Sequence, residues 1–400
     1  MSTLNNSANI KVIGVGGGGV NAVDRMIQSG VAGVDFIAVN TDTQSLTKSD
    51  AETKLDIGRE ISNGLGAGAD PTVGRRAAEE NQDMLRSALE GADMVFVAAG
   101  EGGGTGTGAA PIIARIAREL GALTVAVVTR PFSFEGRQRM RNAVEGIAEL
   151  RQAVDTLIVI PNDRLVETTS TNLSVMEAFQ LADEVLLTGV KGISDLIQTA
   201  GYVNTDFADV KAVMKDAGTA IMGIGTASGA DRALQATENA ISSPLLEAKI
   251  NGAHAVLLAF TASTDFGILE LQQAAELVQN QVDPDANIIF GMSIDETLGD
   301  AMTVTVIAAG FNEEDDYLLA EANRKPGQAK PVAAAAPVAP VIPPVVEDVP
   351  AARPTVSGIA TPADPRVAAE PVRPSTLDVP PTIDEGGFDL DLPSFLLNDN

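Results

Sequence analysis

The sequence of 400 residues contains no cysteine, no tryptophan and a single histidine. Without cysteine the chain cannot form disulfides, thiolate zinc sites or a cysteine nucleophile, and one histidine excludes a site built from several histidines. No apolar run approaches the ~18 residues that span a bilayer, which predicts that the protein does not insert directly into a membrane. The segment from Met1 to Ile10 is polar and lacks an apolar core, so it is not expected to be a signal peptide. These features together predict a cytosolic protein.

The charge of the chain is strongly one-sided, with a formal net charge of −27 at pH 7. Nucleic acids are polyanions, so this charge predicts that the protein has no nucleic-acid partner. Hydrophobic residues make up 45% of the chain, which is typical of a globular protein. Four hundred residues exceed what one core usually fills, which favours two domains plus additional chain.

Apolar runs alternate with helical patterns in the first part of the chain. The predicted strands are residues 10–15, 34–39, 94–99, 123–128 and 156–160, and the predicted helices are residues 20–28, 72–89, 109–120 and 136–150. This alternation predicts an α/β fold in which a parallel sheet binds its ligand at the carboxyl ends of the strands. We therefore expect a Rossmann-like N-terminal domain over residues 10–172, preceded by a disordered segment over residues 1–9.

A long helical pattern follows this domain. Ser174 and Glu177 fit a capping box, and apolar residues then recur at steps of three and four as far as Ile197. We expect a central connecting helix over residues 173–200. Beyond it, helical and strand-like segments alternate again, which predicts a smaller C-terminal α/β domain over residues 201–311.

The composition changes near Asn312, since fifteen of the 21 prolines follow that residue. A Pro/Ala-rich segment without periodicity cannot build a core, so we expect a disordered linker over residues 312–385. The last residues, 386–400, include the apolar cluster Leu392, Phe395 and Leu396. An apolar cluster at the end of a long tether predicts a peptide that docks on a partner protein.

Two glycine-rich segments each lie between a predicted strand and a predicted helix. The first is Gly14–Gly19, and the second is Gly100–Gly108, in which six of nine residues are glycine. Such bare backbone can approach an anion closely and direct N–H groups at it from a helix N-terminus. The sequence has no Gly-Lys-[Ser/Thr] motif, so a P-loop is absent, and charge neutralisation falls to backbone N–H groups and a cation, Mg²⁺.

The first glycine segment also satisfies GxGxxG, the pattern of a dinucleotide site, and Asp42 lies near the spacing expected of a ribose-binding acid. An NAD-dependent oxidoreductase is therefore one alternative. A second glycine segment instead favours several successive phosphates on one nucleotide. A nucleotide-binding regulator that has lost catalysis is a third possibility.

Three further motifs resemble those of a known family. Gly102–Gly108 resembles the signature of the tubulin/FtsZ GTPases, and Gly201–Asp209 resembles that family's synergy loop, GxxNxDxxD. The segment from Asp391 to Leu396 is similar to the C-terminal recognition peptide of the bacterial FtsZ branch. The resemblance covers residues 10–311 and the last dozen residues.

The resemblance implies that the N-terminal domain binds GTP and GDP and that Mg²⁺ accompanies them. It also implies a set of nucleotide-binding residues: Gly17, Gly18, Gly19, Val20, Asn21, Gly104, Thr105, Gly106, Thr107, Glu135, Arg139, Phe179 and Asp183. The chemistry of guanine agrees with an acid at position 183, because a carboxylate can accept from both its N1–H and its 2-amino group. Phe179, one turn earlier, is placed to stack on the base.

By the same resemblance, the protein is a GTPase that polymerises head to tail, and the synergy loop of each subunit completes the site of its neighbour. Asn204, Asp206 and Asp209 are then the catalytic candidates. Without the resemblance, Asp206 and Asp209 would be interpreted as acids that cap a helix.

The family's function implies that the protein forms the filaments of the division ring. It also implies a cytoplasmic protein that is concentrated at mid-cell. Asp391, Leu392, Pro393, Phe395 and Leu396 would dock membrane-tethering and regulatory division proteins. Leu397 stands where that peptide often carries a basic residue. The apolar anchor is therefore kept, but the positive charge that would contact an acidic partner surface is absent.

Overall fold

The computed structural model describes residues 8–167, 173–198, 206–246 and 250–311. Within these residues ten strands are present: β1 (Ile10–Val15), β2 (Val34–Asn40), β3 (Thr53–Asp56), β4 (Met94–Gly100), β5 (Leu123–Arg130), β6 (Thr156–Pro161), β7 (Gly218–Ser228), β8 (Ala255–Ala262), β9 (Asn287–Ile294) and β10 (Ala301–Ala309). The predicted strands are confirmed, each to within two residues at either end. Buried strands of a parallel sheet have near-continuous apolar sequences, which is why the prediction is accurate there.

The same residues contain twelve α-helices: α1 (Gly16–Gln28), α2 (Thr43–Lys48), α3 (Arg59–Ser62), α4 (Pro71–Glu80), α5 (Gln82–Leu89), α6 (Thr105–Glu119), α7 (Arg137–Ala153), α8 (Asn162–Glu167), α9 (Val175–Gln198), α10 (Phe207–Met214), α11 (Arg232–Ile241) and α12 (Ile268–Gln279). Among these described residues, no helix combines the length and the apolar character needed to cross a membrane.

The strands form one sheet in the order β3-β2-β1-β4-β5-β6-β7-β10-β8-β9. Strands β1 to β7 are parallel to their neighbours in this order, β10 runs antiparallel to both β7 and β8, and β9 is parallel to β8. In the central pairing, the last residue of β1, Val15, lies opposite Ala99 of β4. The segments that leave β1 and β4 therefore emerge side by side, where the strand order reverses, and open α/β sheets bind their ligands at this position.

Apolar residues cover both faces of the sheet along β1, β2, β4, β5 and β6. Val12 and Phe96 pack in a core with α1 and α9, whereas Ile13 and Val97 pack on the opposite face against α5 and α6. These side chains are completely buried, and each contributes about 1.5–3 kcal/mol of hydrophobic stabilisation. A smaller core joins α11 and α12 to β8 and β10.

Helix α9 begins with the predicted capping box. The Ser174 N–H donates to Glu177 Oε2 at 2.7 Å, and the Glu177 N–H donates to Ser174 Oγ at 3.2 Å. The helix has 24 residues and is therefore about 36 Å long. Its buried face, which includes Leu186 and Ile193, packs in the same core as β5 and β8.

Three helices differ from the sequence-based prediction. Helices α1 and α6 begin at Gly16 and Thr105, four residues earlier than predicted. Glycines in both first turns lie directly against β4, since a Cβ on Gly19 would be 2.2 Å from Ala98 O and one on Gly106 would be 2.7 Å from Gly100 O. The predicted helix over residues 72–89 is divided into α4 and α5 at Asn81, whose side-chain amide donates to Ala77 O at 2.8 Å and to Ile57 O at 3.3 Å.

Some of the predicted segments lie at or beyond the limits of the described residues. The linker over residues 312–385, the terminal peptide over residues 386–400 and Asn204 lie outside them. Asn9, assigned by sequence to a disordered N-terminus, is described, and its N–H donates to Asp93 Oδ2 at 2.8 Å.

Candidate nucleotide-binding site

A cleft of about 460 Å³ opens at the carboxyl ends of β1, β2, β4, β5 and β6. It is lined by both glycine segments, by the loop before α4, and by one face of α9. The lining residues are Gly17, Gly18, Asn21, Asn40, Asp42, Ser45, Gly66, Ala67, Ala69, Gly100, Glu101, Gly103, Gly104, Thr105, Gly106, Thr129, Pro131, Glu135, Arg139, Asn162, Phe179, Ala182, Asp183 and Leu186.

The two glycine segments contact each other at the floor of the cleft. Gly16 has a φ of +72°, and a Cβ at this position would lie 2.8 Å from Gly106 N, so only glycine fits. In the second segment Gly102 has a φ of +95°, and its N–H donates to Thr107 Oγ1 at 2.8 Å. The two turns therefore bring the starts of α1 and α6 to the same cleft.

The starts of these two helices make the floor suitable for an anion. The first backbone N–H groups of a helix have no partner within it, and the helix dipole places a partial positive charge there. Helices α1 and α6 are 13 and 15 residues long, and open space lies where Gly17 and Gly103 would carry a side chain. Successive phosphates can therefore lie directly on this backbone.

Hydroxyl and amide groups border the glycine-lined end of the cleft. Thr41 Oγ1 and Thr105 Oγ1 are 2.6 Å apart and share a hydrogen bond, and Asn40 Oδ1 accepts from the Thr41 N–H at 2.9 Å. Asp42, the candidate ribose ligand of the dinucleotide hypothesis, instead accepts from Gln44 N at 2.9 Å and caps α2. These contacts connect the end of β2 to the start of α6.

The opposite end of the cleft combines aromatic rings with a half-buried acid. The Phe179 ring lies edge-on to Phe132 and to Phe134, with centroid distances of 5.4 and 6.2 Å. Asp183 lies one turn after Phe179 on α9. Burial raises the pKa of Asp183 to about 6, while the positive charge of Arg25 opposes this shift. A flat base with hydrogen-bond donors on one edge fits this end.

Glu135 and Arg139 form an ion pair at the rim. Glu135 also accepts from the Phe132 N–H at 2.9 Å, so its carboxylate is held in place from two directions. Arg139 is the only cationic residue among the described residues that line the cleft, and it lies in the first turn of α7.

Ten of the thirteen predicted nucleotide-binding residues line this cleft, and Gly19, Val20 and Thr107 do not. Val20 and Thr107 are buried, because each lies on the inward face of its helix. Asp206 and Asp209 are exposed and lie away from the cleft, where Asp206 caps α10 by accepting from the Asp209 N–H at 2.9 Å. Asn204 lies outside the described residues.

Five polar residues of the cleft were not predicted from the sequence: Asn40, Ser45, Glu101, Thr129 and Asn162. Asn40, Thr129 and Asn162 follow or end predicted strands, so the positions of the strand ends were the signal that could have identified them. Within the described residues, three buried side-chain polar atoms lack a hydrogen-bond partner, namely both carboxyl oxygens of Glu101 and Oδ1 of Asn162. Buried polar atoms nearly always form hydrogen bonds, so Glu101 and Asn162 are exceptions to a general property of folded proteins.

Comparison with known proteins agrees with this architecture. Residues 9–170 match the GTPase domain of the tubulin/FtsZ family, and residues 218–312 match the C-terminal domain of the FtsZ family. The chain is thus a GTPase that binds GTP and GDP, which decides between the alternatives that Gly14–Gly19 left open.

Solved structures give the same result. An FtsZ dimer from M. jannaschii is 44% identical to this chain, with 77% of this chain and 89% of that chain covered and a TM-score of 0.75. A mutant of the M. jannaschii FtsZ is also 44% identical, covering 76% of this chain and 92% of its own, with a TM-score of 0.74. The GTPγS-bound protofilament of CetZ2 from Haloferax volcanii shares the fold, with 22% identity over 79% and 98% of the two chains and a TM-score of 0.66. The chain therefore belongs to the tubulin/FtsZ family of GTPases.

Proposed function

We infer that this GTPase polymerises head to tail into filaments that form the division ring at the site of bacterial cytokinesis. In this proposal the GTP of one subunit is hydrolysed with the help of Asn204, Asp206 and Asp209 of the next subunit. The observation that carries it is the distribution of carboxylates between the cleft and α10.

Four described carboxyl groups line the cleft, and each is already engaged or unsuitably placed for activating water. Glu135 is paired with Arg139, and Asp42 caps α2. Asp183 lies at the aromatic end, and the oxygens of Glu101 are fully buried. Hydrolysis of a γ-phosphate needs a group that orients the attacking water, so a second molecule is a physically sensible source of that group.

Helix α10 carries two such groups on its exposed end. Asp206 and Asp209 are three residues apart, both are exposed, and the Asp206 side chain is fixed by its bond to the Asp209 N–H. Two carboxylates held in this way can orient and polarise a water molecule once a neighbouring subunit presents its phosphate. Open head-to-tail contacts of this kind generate filaments.

Within the cleft we assign the phosphates to Gly17, Gly18 and Gly104–Gly106, with Asn21 beside them. Glu135 and Arg139 would contact the ribose and phosphates, Phe179 would pack on the guanine, and Asp183 would accept from its N1–H and 2-amino groups. Gly19, Val20 and Thr107 would act indirectly, by shaping the two glycine segments.

An oxygen ligand for Mg²⁺ is also present in the cleft. Mg²⁺ is usually bound through one or two carboxylates together with substrate phosphates. Asp42 caps α2 through Oδ1, so its other oxygen, Oδ2, supplies one suitable ligand on the cleft wall. The ion would neutralise negative charge on the phosphates. The other groups that could do so in the cleft are Arg139 and backbone N–H groups.

The remaining parts of the proposal follow from family membership. The structural relatives include an FtsZ dimer and a protofilament, which supports self-association of this chain. Residues 10–172 and 201–311 would form the two domains joined by the helix of residues 173–200. Residues 386–400, tethered by the linker of residues 312–385, would dock membrane-tethering and regulatory division proteins at mid-cell in the cytoplasm.

A mixing experiment tests the shared active site. Asp209→Ala retains a complete cleft, whereas Asp183→Ala retains α10, so each variant alone should hydrolyse GTP poorly. In a 1:1 mixture about a quarter of head-to-tail contacts join an intact cleft to an intact α10, so phosphate release should recover to about that fraction of wild type. Wild-type activity per molecule should also rise with protein concentration.

The matched control is Asp35→Ala, which removes an exposed acid from the start of β2, at the opposite end of the strand from the cleft. Asp35→Ala should itself be as active as wild type, so adding Asp183→Ala to it should only dilute an active protein. Failure of the Asp209→Ala and Asp183→Ala mixture to recover activity, with a specific activity independent of concentration, would show that each chain has a complete site.

A further inference from the structure

Glu101 is a carboxyl group in the phosphate-binding segment for which the proposed mechanism has no use. It follows the last residue of β4, lines the cleft, and is 4% exposed. Neither carboxyl oxygen has a hydrogen-bond partner among the described residues. An ionised carboxylate in such a place is strongly unfavourable, because water is excluded and no cation replaces it.

The main chain around Glu101 is tightly fixed on both sides. Its N–H donates to Thr129 O on β5 at 2.9 Å, and the next N–H, that of Gly102, donates to Thr107 Oγ1 at 2.8 Å. The phosphate-binding segment and the first turn of α6 are therefore joined directly beside this carboxyl.

The side chain of Glu101 extends toward α7. A Cβ added to Gly146 would lie 2.6 Å from Glu101 Oε2 and 2.3 Å from Thr107 Cγ2, so α7 approaches both residues through a glycine. Thr107 and Gly146 also line a second cavity of about 510 Å³ between α4, α6 and α7. Glu101 thus lies between the nucleotide cleft and this second cavity.

The charged groups around Glu101 do not compensate a negative charge. Glu149 on α7 opposes its ionisation. Arg75 on α4 is paired with Glu149, because Nη1 donates to Oε1 at 2.6 Å and Nη2 donates to Oε2. Arg139, whose main chain packs against Gly102, is paired with Glu135. Burial raises the pKa of Glu101 to about 8, and the negative charge of Glu149 raises it further. The neighbouring Thr107 hydroxyl lowers the pKa, although it forms no hydrogen bond with either carboxyl oxygen of Glu101.

We propose that Glu101 is a positioning residue of the phosphate-binding segment that acts only as the neutral carboxylic acid, so that nucleotide binding depends on its proton. As the neutral acid it packs beneath Gly102 and Thr107 and holds the segment against α7. Once ionised, the carboxylate must be hydrated, and the second cavity is the adjoining space beyond Thr107 and Gly146. Movement in that direction displaces the Gly102–Thr107 bond and with it the backbone N–H groups that face the phosphates.

The proposal rests on the nucleotide site proposed above, and equilibrium binding of GDP tests it without turnover. Affinities of the full chain and of Glu101→Gln are compared between about pH 7 and about pH 9.5, a range in which Asp183 stays ionised. The wild-type Kd, relative to that of Glu101→Gln at the same pH, should increase about tenfold for each unit above pH 8. The ratio removes the titration of the nucleotide itself, because both proteins bind the same ligand.

A second measurement counts protons directly. Calorimetric titration of GDP at about pH 8, in two buffers of different ionisation enthalpy, should show proton uptake by the wild-type protein and none by Glu101→Gln. Glu145→Gln, which neutralises an exposed acid on the same helix as Gly146, should behave as wild type.

Each outcome has a defined meaning. Parallel affinity curves for wild type and Glu101→Gln, with equal proton counts, overturn the proposal for Glu101 alone. Absence of GDP binding by both proteins at about pH 7 would instead contradict the nucleotide site itself. If Glu101→Gln does not fold, proton uptake by the wild-type chain on binding, compared with Glu145→Gln, still decides the question.

Discussion

Asp183 provides the sharpest test of how the cleft selects its nucleotide. If its carboxylate accepts from both N1–H and the 2-amino group of guanine, inosine nucleotides, which lack the amino group, lose one of two charge-assisted bonds. Such a bond contributes about 1.5–3 kcal/mol. The wild-type protein should therefore prefer GDP to IDP by about 10- to 150-fold.

The preference depends on the ionised carboxylate. Burial raises the pKa of Asp183 in the empty site to about 6, so the acid is charged at neutral pH and becomes protonated below that value. The selectivity for GDP should be complete above about pH 7 and should decrease as the pH falls through about 6. Competition between GDP and IDP for the same site, measured at equilibrium across this range, gives the ratio without a contribution from hydrolysis.

Asp183→Ala should reduce the ratio of the two affinities to about one, because neither ligand then finds a carboxylate. Asp195→Ala is the matched control, since Asp195 is half-buried on the same helix but does not line the cleft. It should retain the full GDP preference. An unchanged ratio in Asp183→Ala would refute the assignment of this carboxylate to the base.

Two further predictions concern the surroundings of Glu101. The pKa of Glu101 is raised from its ordinary 4.5 to about 8, so its stabilising contribution is complete below pH 4.5 and is lost as the pH rises through 8. In that window the free energy of unfolding of wild type, relative to Glu101→Gln, should fall by about 1.4 kcal/mol per pH unit, measured by urea denaturation; parallel pH profiles would contradict it. Gly146→Ala would place a Cβ 2.3 Å from Thr107 Cγ2 and should destabilise the protein by about 1–3 kcal/mol, whereas a neutral effect on unfolding would show that α7 can move away.

The accuracy of the sequence-based fold follows from the kind of sheet that this chain forms. Strands such as β4 are buried on both faces, so they are continuous apolar runs whose limits are easily read. The start of α9 was predictable because a capping box is a local interaction between Ser174 and Glu177. The short elements α2, α3 and β3 were missed, since four to six residues carry too little periodic signal.

The residues of the candidate site were predicted less completely than the strands and helices. Local motifs indicated the two glycine segments, and family resemblance supplied Asp183 and Arg139, all of which line the cleft. Thr129 and Asn162 were missed because they are far from the glycine segments along the chain. Only the parallel order of β4, β5 and β6 brings their ends to one edge of the sheet.

The sequence by itself determined the α/β class, the two glycine-rich turns and the absence of a lysine-based phosphate loop. Each depends on residue type and short-range spacing. Only the tertiary structure decided that α1 and α6 start within those turns, because the close approach of their glycines to β4 is a contact between elements and not a local pattern. It alone also reveals that Glu101 is buried and that its carboxyl oxygens find no hydrogen-bond partner within the described part of the chain, since burial is a property of the elements that surround a residue.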